Sequence, residues 1–409
     1  MRRTGRLSVA LVAGCPFPWA RGTPARVLGL ARSLHEAGHT VHVIAYPLGD
    51  LDHKLPFQVH RSARLPFYKR TAPGADPLRL TCLLPMLAAE VDRVVRNNPI
   101  DVIHAHHYEG LLAAWPARLL RRVPLVYDAH TTLAGELPYY RIGLPRPWIV
   151  AVGRSLDSRL PRLADHTIAT SQHIVAELMG DGMPAERVSV IGNGIEDSFV
   201  AEPHDNTPPD DGSERICYAG NLAAYQGIDT LLAAFAEVAA SRPKARLLLV
   251  TESSFGPYAR QAAQLGIADR IDVERPPPPH ALGARLSCAA VLVNPRAECP
   301  GYPLKLLNYM AAGRGIVSFR DSARDLTHGL DAWLVDEPTA SALAKGLLAM
   351  LSEPTRAIAL GMAARRRVVE NLTWSRIVAN LETVYRRLVA VEASVPKPAS
   401  VRAGFPGSK

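Results

Sequence analysis

Short apolar runs and amphipathic stretches alternate along almost the whole chain. Apolar runs bounded by glycine, proline or polar clusters predict buried strands, and apolar residues spaced three and four apart predict helices. Strands are predicted over 7–13, 41–46, 59–65, 101–104, 124–127, 167–170, 188–191, 216–219, 246–251, 271–273, 291–293, 316–319 and 333–335. Helices are predicted over 25–37, 78–97, 111–121, 148–163, 172–179, 228–240, 258–265, 280–286, 304–312, 343–351, 358–370 and 375–391. Because strands alternate with helices, the predicted fold class is α/β, with parallel sheets covered by helices on both faces.

One polar, proline-rich and aperiodic segment, residues 202–213, interrupts this alternation. Such segments commonly join domains. We therefore predict two doubly wound α/β domains, residues 1–201 and 214–374. The helix at 375–391 follows the second domain, and residues 392–409, rich in Pro, Ser, Gly and basic residues, are predicted to be disordered.

Unusual polar residues follow many of the predicted strands, at the edge where doubly wound sheets bind ligands. Because two such domains imply a cleft between them, we expect these residues to line one ligand site. Asp128 is interpreted as the cap of the next turn. The strand-end groups are Arg21-Gly22-Thr23, His104 to His107, Asp128 to His130, Asn193-Gly194, Gly220-Asn221 and Glu298 to Lys305.

The segment from Leu292 to Phe319 predicts a strand, a Gly/Pro turn, a helix that Gly313 ends, and a second strand. Backbone N–H groups at a helix start carry partial positive charge, so the turn before this helix can hold an anion such as a diphosphate. An ordinary connection in a parallel sheet explains the same pattern, and the segment alone does not separate the two interpretations.

The chain carries 47 Lys and Arg against 38 Asp and Glu, a formal charge of +9 that suits an anionic partner. A nucleotide, a membrane surface and nucleic acid all fit, but no block of basic residues or RNA-binding aromatic motif favours nucleic acid. One mixed basic and aromatic group can dock on anionic lipid, or else forms a solvated face. Its members are Arg61, Arg64, Phe67, Tyr68, Lys69 and Arg70.

Several classes of protein are disfavoured. The 5 cysteines show no CxxC or Cys/His spacing, so neither a disulfide framework nor a zinc site is predicted, and a reducing cytoplasm fits best. The short apolar run at 7–14 is interpreted as a strand and not as a signal peptide, and no apolar segment approaches the length of a membrane span. The loop after the first predicted strand lacks a GxGxxG fingerprint, which disfavours a nicotinamide enzyme.

An ordered series of motifs makes the chain resemble the retaining glycosyltransferases of the GT-B fold, specifically the large family-four group. The resemblance covers roughly residues 7–390 and rests on the order of motifs that are individually weak. They are Gly22-Thr23 at the family's Gly-Gly loop, GHTV at 38–41, DVIHAH at 101–106, IGNGI at 191–195 with Phe199, YAGNL at 218–222 continuing to GID at 227–229, LNYMAAG at 307–313, and Trp374 with Tyr385 in a closing helix that crosses back to the first domain.

The resemblance implies two Rossmann-like domains facing across a cleft, and transfer of a sugar from a UDP- or GDP-linked donor to a hydroxyl acceptor with retention at the anomeric carbon. In the implied front-face reaction the leaving phosphate takes the acceptor proton. His106 and Glu298 are the implied catalytic residues, with His106 orienting the sugar, and Glu109 and His130 lie on the acceptor side. The implied donor site consists of Gly22, Thr23, Gly220, Asn221, Gln226, Arg296, Gly301, Tyr302, Pro303, Leu304, Lys305 and Asn308.

The same resemblance implies that no cofactor is required and that the nucleotide sugar is a substrate. No paired carboxylates stand out as a metal site, so no required metal is predicted, and helix starts and basic side chains would stabilise the leaving diphosphate. The implied acceptor is a saccharide, a lipid-linked sugar or a small molecule. A cytoplasmic enzyme is expected, with the basic and aromatic group as its contact to the inner face of a membrane.

The chain departs from the family in its most informative segment. Pro300 and Asn308 stand where the family has two glutamates eight residues apart, and Glu298 lies two residues before the first of these positions. Asparagine can still bond ribose hydroxyls, but without charge. The sugar site therefore depends on whether Glu298 replaces the missing carboxylate.

The expected basic pair of the second domain is also replaced, by Asn221 and Gln226. Lys305 is the preferred phosphate ligand, with a solvated lysine as the alternative. Two other functions stay open: a GT-B protein that binds a nucleotide sugar without turnover, and a nucleotide-sugar epimerase.

Overall fold

The computed structural model describes residues 5–19, 22–49, 54–71, 76–140, 142–201, 212–299 and 301–394. Its named strands form two sheets in which every pairing is parallel, as the alternation of strands and helices predicts. The strands are β1 (Ser8–Ala13), β2 (Thr40–Ala45), β3 (Gln58–Arg61), β4 (Val102–His106), β5 (Leu125–Ala129), β6 (His166–Ala169), β7 (Val188–Val190), β8 (Glu214–Ala219), β9 (Ala245–Val250), β10 (Ile271–Glu274), β11 (Val291–Asn294), β12 (Gly315–Phe319) and β13 (Trp333–Val335).

Helices connect these strands and cover both sheets. Each predicted strand and helix has a counterpart with bounds shifted by a few residues, whereas the short α4 and α7 were not predicted. The helices are α1 (Gly22–Glu36), α2 (Leu84–Asn97), α3 (His107–Arg121), α4 (Leu133–Glu136), α5 (Arg146–Asp157), α6 (Gln172–Gly180), α7 (Asp197–Ala201), α8 (Ile228–Ser241), α9 (Gly256–Gln264), α10 (Pro279–Ser287), α11 (Lys305–Ala312), α12 (Ala340–Ser352), α13 (Pro354–Asn371) and α14 (Trp374–Ser394).

The first sheet has the order β3-β2-β1-β4-β5-β6-β7. The chain leaves β1 toward β2 and later returns on the other side to β4, so the winding reverses between β1 and β4. Helices α2, α3 and α6 pack on one face of the sheet, and α1 with α14 packs on the other. A crevice at the carboxyl ends of such strands is where open α/β sheets bind ligands.

The second sheet repeats this plan with the order β10-β9-β8-β11-β12-β13. Its winding reverses between β8 and β11, and helices α8, α9 and α12 cover one face while α10 and α11 cover the other. The prediction of two doubly wound domains is therefore confirmed. Residues 202–211, most of the predicted linker, lie outside the described residues, and the domain boundary stays a prediction.

Helix α14 follows the second domain in sequence but packs on the first. Trp374 is buried against two glycines, Gly29 and Gly194. A Cβ added to Gly29 would lie 2.2 Å from an indole atom, and a Cβ added to Gly194 would lie 2.5 Å from one, so neither position has room for a side chain. Further along the helix, Glu382 Oε1 lies 2.7 Å from His39 Nε2. The closing helix therefore ties the end of the chain to the first sheet.

Two sequence predictions need correction at the ends of the chain's elements. Helix α14 continues to Ser394, so residues 392–394 of the predicted disordered tail are helical, and the rest of that tail lies outside the described residues. Gly22 and Thr23, predicted in a loop, form the first turn of α1, where Pro24 is tolerated because its missing N–H needs no partner. Arg21 lies outside the described residues.

The prediction that the basic and aromatic group at 61–70 forms one exposed face is wrong. Strand β3 ends at Arg61, whose guanidinium donates to the backbone oxygen of Tyr46 at 3.2 Å. Tyr68 is buried and donates its hydroxyl to Asp76 Oδ2 at 2.7 Å, while Phe67 remains exposed. The turn after β3 therefore directs part of the group into the core.

Within the described ranges, no helix is long and apolar enough to cross a membrane.

Replacing Trp374 with alanine should lower the unfolding free energy of the first domain by about 3–5 kcal/mol, because the buried indole leaves a cavity under α14. Trp148→Ala is the matched control: that indole is 70% exposed, and its loss should cost less than about 0.5 kcal/mol. Urea denaturation followed by circular dichroism measures both. Equal losses in the two variants would contradict the role assigned to the closing helix.

Candidate functional site

His106 and Asp128 face each other at the carboxyl edge of the first sheet. Strand β4 ends at His106, and Asp128 is its register partner in β5. Side chains alternate across a strand, so His104 points to the same face as His106. The sequence analysis placed His106 and Asp128 after their strands; the structure places them within the strands, where backbone pairing fixes the directions of their side chains.

One carboxylate oxygen, Asp128 Oδ2, contacts nitrogen atoms of three side chains. Arg26 Nε lies 2.8 Å from it, His104 Nε2 3.1 Å and His106 Nδ1 3.2 Å. All four residues are buried. A buried carboxylate is stable only when it is paired and hydrogen-bonded, and Oδ2 meets that requirement through these three contacts. The other oxygen, Oδ1, is buried with no hydrogen-bond partner among the described residues.

Arg26 also binds the end of the first sheet's last strand. Arg26 Nη2 donates to the backbone oxygen of Ile191 at 2.9 Å. Arg26 Nη1 donates to the backbone oxygen of Gly192 and to Asn193 Oδ1. Arg26 thus connects α1, β5 and the segment after β7.

The charges in this cluster favour an ionised Asp128 carboxylate beside a neutral His106 imidazole. Burial alone would raise the pKa of Asp128, but Arg26 and the surrounding histidines hold that pKa well below its usual range. Burial, with a smaller contribution from His104, lowers the pKa of His106 to about 4. At neutral pH, Asp128 is therefore negative and His106 is neutral.

The hydrogen bonds also determine which imidazole nitrogens carry protons. Because a carboxylate oxygen only accepts, His104 and His106 present protonated nitrogens to Asp128. His104 Nδ1 then accepts the hydroxyl of Tyr385 from α14, 2.5 Å away. His106 Nε2 remains as an acceptor, and it is buried with no hydrogen-bond partner in the described part of the chain. An unpaired buried acceptor costs about 1–3 kcal/mol, which a ligand hydroxyl can offset.

His130 connects this cluster to the second domain. Its Nε2 lies 3.3 Å from His106 Nδ1, and its Nδ1 lies 3.2 Å from Thr23 Oγ1. A Cβ added to Gly301 would stand 3.1 Å from the His130 backbone oxygen. Burial lowers the pKa of His130 well below its usual value, despite the opposing effect of Asp128. Predicted site residues of both domains therefore meet at His130.

Glu109, predicted on the acceptor side, is buried in the first turn of α3. Tyr46 donates its hydroxyl to Glu109 Oε2 at 3.3 Å, and an Arg79 nitrogen lies 3.9 Å from Oε1. Burial raises the pKa of Glu109, and Arg79 opposes this. An added Cβ on Gly14 would overlap Glu109 Cβ, so the carboxylate lies where β1 and β4 diverge.

Lys305 is the centre of the second domain's half of the site. It opens α11, and its Nζ lies 2.5 Å from Gln226 Oε1, 3.1 Å from the Tyr218 hydroxyl and 4.4 Å from the centre of the Tyr218 ring. A Cβ added to Gly220 would stand 3.4 Å from the same Nζ. The structure therefore brings Lys305, Gln226 and Gly220 together, as predicted for a donor site.

The electrostatic environment of Lys305 disfavours the charged form of its side chain. Both of its hydrogen-bond acceptors, Gln226 and Tyr218, are neutral. Burial, with a smaller contribution from the nearby charge of Arg296, lowers the pKa of Lys305 to about 7. An approaching anion would restore the charged form, so the ammonium group can bind one with little competition from the protein.

Other predicted donor residues surround this lysine. Asn221 holds the turn after β8, where its Oδ1 accepts the Ala223 N–H at 3.1 Å. Arg296 stacks over Tyr225, with 5.0 Å between its guanidinium carbon and the ring centre. Asn308 lies one turn after Lys305 on the same face of α11.

The turn before α11 is tighter than the sequence suggests. Tyr302, Pro303 and Leu304 form it, and the N–H groups of Leu306 and Leu307 are bonded to the oxygens of Pro303 and Leu304 at 2.9 and 3.1 Å. Two donors of the helix start are thus already used. These two N–H groups are therefore not free to bind a ligand.

Glu298 lies exposed on the second domain and reaches across to the first. Its Oε1 accepts the hydroxyl of Tyr139 at 2.6 Å, and its backbone oxygen accepts Arg296 Nε at 2.7 Å. Pro300 lies outside the described residues. The catalytic role of Glu298 stays a prediction.

His104, His106 and Asp128 also have the spacing of a metal site, with one ligand atom from each within 4.8 Å of the others. Arg26 already pairs with the shared carboxylate oxygen, and both nitrogens of His104 have hydrogen-bond partners. The group is therefore a hydrogen-bonded network with its own cation.

Sequence reasoning missed Arg26, Tyr218 and Tyr139, and its interpretation of Asp128 as a cap is wrong. Thr132 caps α4 instead, since its hydroxyl accepts the Gly135 N–H. Arg26 did carry a signal. It stands four residues before Leu30 on the apolar face of a helix, where a charge needs a buried partner.

Comparison with known proteins gives a consistent assignment. Residues 20–199 match the family model described as Glycosyltransferase Family 4, and residues 213–353 match the one described as Glycosyl transferases group 1. A D-inositol 3-phosphate glycosyltransferase from Thermobispora bispora is 28% identical over 321 residues, which cover 72% of this chain and 73% of that protein.

Solved structures show the same fold. Sucrose-phosphate synthase from Thermosynechococcus elongatus superposes with a TM-score of 0.76 at 21% identity, covering 94% of this chain and 100% of that one. The Anabaena protein HepE in complex with UDP gives a TM-score of 0.70 at 17% identity, covering 93% and 100%.

Two Rossmann-like domains that meet over a shared cleft define the GT-B class of glycosyltransferases. With both of its domains matched, this chain belongs to the family-four, group 1 glycosyltransferases.

Arg26→Met should lower the unfolding free energy of the first domain by about 3–5 kcal/mol, because it leaves the Asp128 carboxylate buried and unpaired. The double variant Arg26→Met/Asp128→Asn should recover about 1 kcal/mol or more of that loss. The exposed Arg320–Asp336 pair supplies a control, Arg320→Met, whose expected cost is far smaller because water already screens that pair. Urea titrations that give the same cost for both arginines would refute the central role of the buried pair.

Proposed function

We propose that this glycosyltransferase moves a hexose from a UDP- or GDP-linked donor to a hydroxyl acceptor, with retention at the anomeric carbon. The observation that carries the proposal is the approach of Gly301 to His130, which joins a cationic half-site to a hydrogen-bond-accepting half-site. A nucleotide sugar needs both properties, since its diphosphate is anionic and its sugar presents hydroxyls.

The diphosphate belongs beside Lys305 in this proposal. The ammonium group and the nearby Arg296 meet the negative charge that develops on the leaving group. Gly220 leaves room for the donor close to Lys305 Nζ, and Asn308 bonds the ribose hydroxyls. The binding of UDP by HepE, which shares the fold, supports a nucleotide in this cleft. Because side chains supply the positive charge, the proposed reaction requires no metal and no cofactor.

The sugar belongs beside His106. The unpartnered Nε2 of this neutral imidazole accepts a sugar hydroxyl and orients the ring, while Asp128 holds the imidazole from its other side. In the proposed front-face reaction, the acceptor attacks from the side of the leaving phosphate, and a phosphate oxygen takes the acceptor proton. His106 thus orients the donor and does not act as the base.

The acceptor enters on the side of His130 and Glu109. The Glu109 carboxyl group and the imidazole of His130, whose pKa burial holds well below its usual value, can exchange hydrogen bonds with a hydroxyl. Saccharide, lipid-linked and small-molecule acceptors all fit this description, and the name of the Thermobispora bispora relative favours a phosphorylated polyol among the small molecules.

A second candidate function is nucleotide-sugar binding without turnover. It is favoured by Asn308 at the position of a family glutamate and by the contact of Glu298 with Tyr139, which directs that carboxylate to the first domain. Donor hydrolysis by the purified protein separates the two functions. Tight binding of UDP- and GDP-sugars with no hydrolysis of any of them would favour the binder.

Lys305→Ala should weaken UDP-glucose binding about ten- to hundredfold, the loss of one charge-assisted hydrogen bond. Lys345→Ala, an exposed lysine on α12, is the matched control and should bind as wild type. Isothermal titration calorimetry measures both, after a thermal-shift screen that should show stabilisation by UDP or GDP and none by NAD. Unchanged affinity in Lys305→Ala would remove the proposed phosphate ligand.

The same lysine predicts how affinity depends on pH. In the free protein its pKa is about 7, and a bound diphosphate raises it, so binding takes up a proton at higher pH. The dissociation constant should therefore rise above about pH 7, approaching tenfold per pH unit, until it reaches that of Lys305→Ala. Lys305→Arg should bind with little change over the same range, and an equally steep dependence in that variant would contradict the assignment.

His106→Ala should reduce donor hydrolysis by about 10²- to 10³-fold while leaving nucleotide affinity within about twofold, because the imidazole orients the sugar and not the diphosphate. His35→Ala, in the last turn of α1 away from the cleft, should leave both quantities unchanged. A parallel loss of nucleotide affinity would show that His106 acts elsewhere.

A further inference from the structure

An exposed apolar surface lies at the start of helix α5. Ile142 is 36% exposed, Leu144 56%, Trp148 70% and Val152 51%, and we call these four residues the α5 surface. Trp148 and Val152 lie one helical turn apart and so share a face. Clustered exposed apolar side chains of this size mark sites of interaction.

The α5 surface adjoins the mouth of the cleft. Helix α5 lies between β5 and β6, and a crossover helix runs antiparallel to the strands it joins, so its first turn is at their carboxyl edge. That edge carries His106 and Asp128. Tyr139, in the segment leading to α5, donates its hydroxyl to Glu298 of the second domain.

The chain segment that carries this surface is basic. From residue 137 to 164 the chain contains one acidic residue, Asp157. Asp157 is buried, and its carboxylate accepts the backbone N–H groups of Leu133 and Ala134 at 2.9 and 2.8 Å. The exposed basic residues of this segment, among those described, are Arg146, Arg154, Arg159 and Arg162.

We infer that the α5 surface docks this enzyme on an anionic lipid bilayer. An exposed tryptophan with aliphatic neighbours inserts at the level of the headgroups, and flanking arginines meet lipid phosphates. A second copy of this chain fits less well, because a symmetric contact would place the same arginines against one another. The inference replaces the group at 61–70 as the site of membrane contact.

Docking places the cleft mouth beside the bilayer. A membrane-anchored acceptor then reaches the site without leaving the lipid surface, a consequence that rests on the proposed function. The docking itself does not depend on it.

Co-flotation of the full chain with lipid vesicles tests the inference. The protein should float with vesicles of equal parts phosphatidylcholine and phosphatidylglycerol, and not with phosphatidylcholine alone. Trp148→Glu should reduce binding about tenfold or more. The matched control is Leu120→Glu, at a leucine that is 71% exposed at the far end of α3, and it should float as wild type.

The thermal shift produced by UDP-glucose should be the same in Trp148→Glu and wild type, which shows an intact fold and donor site. Failure of docking and failure of the proposed function are thereby measured separately. No flotation with anionic vesicles, equal flotation of Trp148→Glu, or loss only in Leu120→Glu would overturn the inference. A dimer that Trp148→Glu dissociates would also overturn it, because the surface would then bind a second copy of the chain. An acidic protein that binds the surface equally well with and without anionic lipid would overturn it too.

Discussion

The ligand edge of the first domain depends on one buried carboxylate. Asp128 Oδ2 is the common acceptor for Arg26 and for two histidines of β4, and Tyr385 extends the network to the closing helix. Removing any one partner leaves a charge or a polar group unpaired in the core, which is far more costly than losing a surface contact. The orientation of His106 therefore follows from the packing of α1, β5 and α14 together.

The two halves of the cleft use charge in opposite ways. On the first domain, Arg26 already neutralises the carboxylate, so the surface that it supports consists of the neutral imidazoles of His106 and His130. On the second domain, Lys305 is held by neutral partners and loses part of its charge through burial. The difference suits a donor that is anionic at its diphosphate and neutral at its sugar.

The alternation of strands and helices was enough to predict both domains from the sequence. Gly313 ended its helix as predicted, because it adopts a left-handed φ of 72° that suits glycine. The grouping of Lys305 with Gly220 followed from the position of each after a predicted strand, whereas Gln226 was implied by the family resemblance. The first prediction rests on a general rule of parallel sheets and the second on the order of the family motifs.

The contacts that were not predicted join residues far apart in sequence. Tyr385 and His104 are separated by 281 positions, and Arg26 and Asp128 by 102. No local pattern marks such pairs, so Asp128 was interpreted as a cap, a role for which aspartate is well suited. The contact of Glu298 with Tyr139 depends on the relative position of two domains, which no single segment specifies.

A crystal structure of the protein with a bound UDP- or GDP-sugar tests the central claim most directly. The account predicts a diphosphate oxygen about 2.7–3.2 Å from Lys305 Nζ and a sugar hydroxyl at a similar distance from His106 Nε2. It also predicts that Asp128 still binds the other ring nitrogen of that imidazole, Nδ1. A nucleotide bound away from Lys305, or a sugar that leaves His106 Nε2 without a partner, would contradict the account.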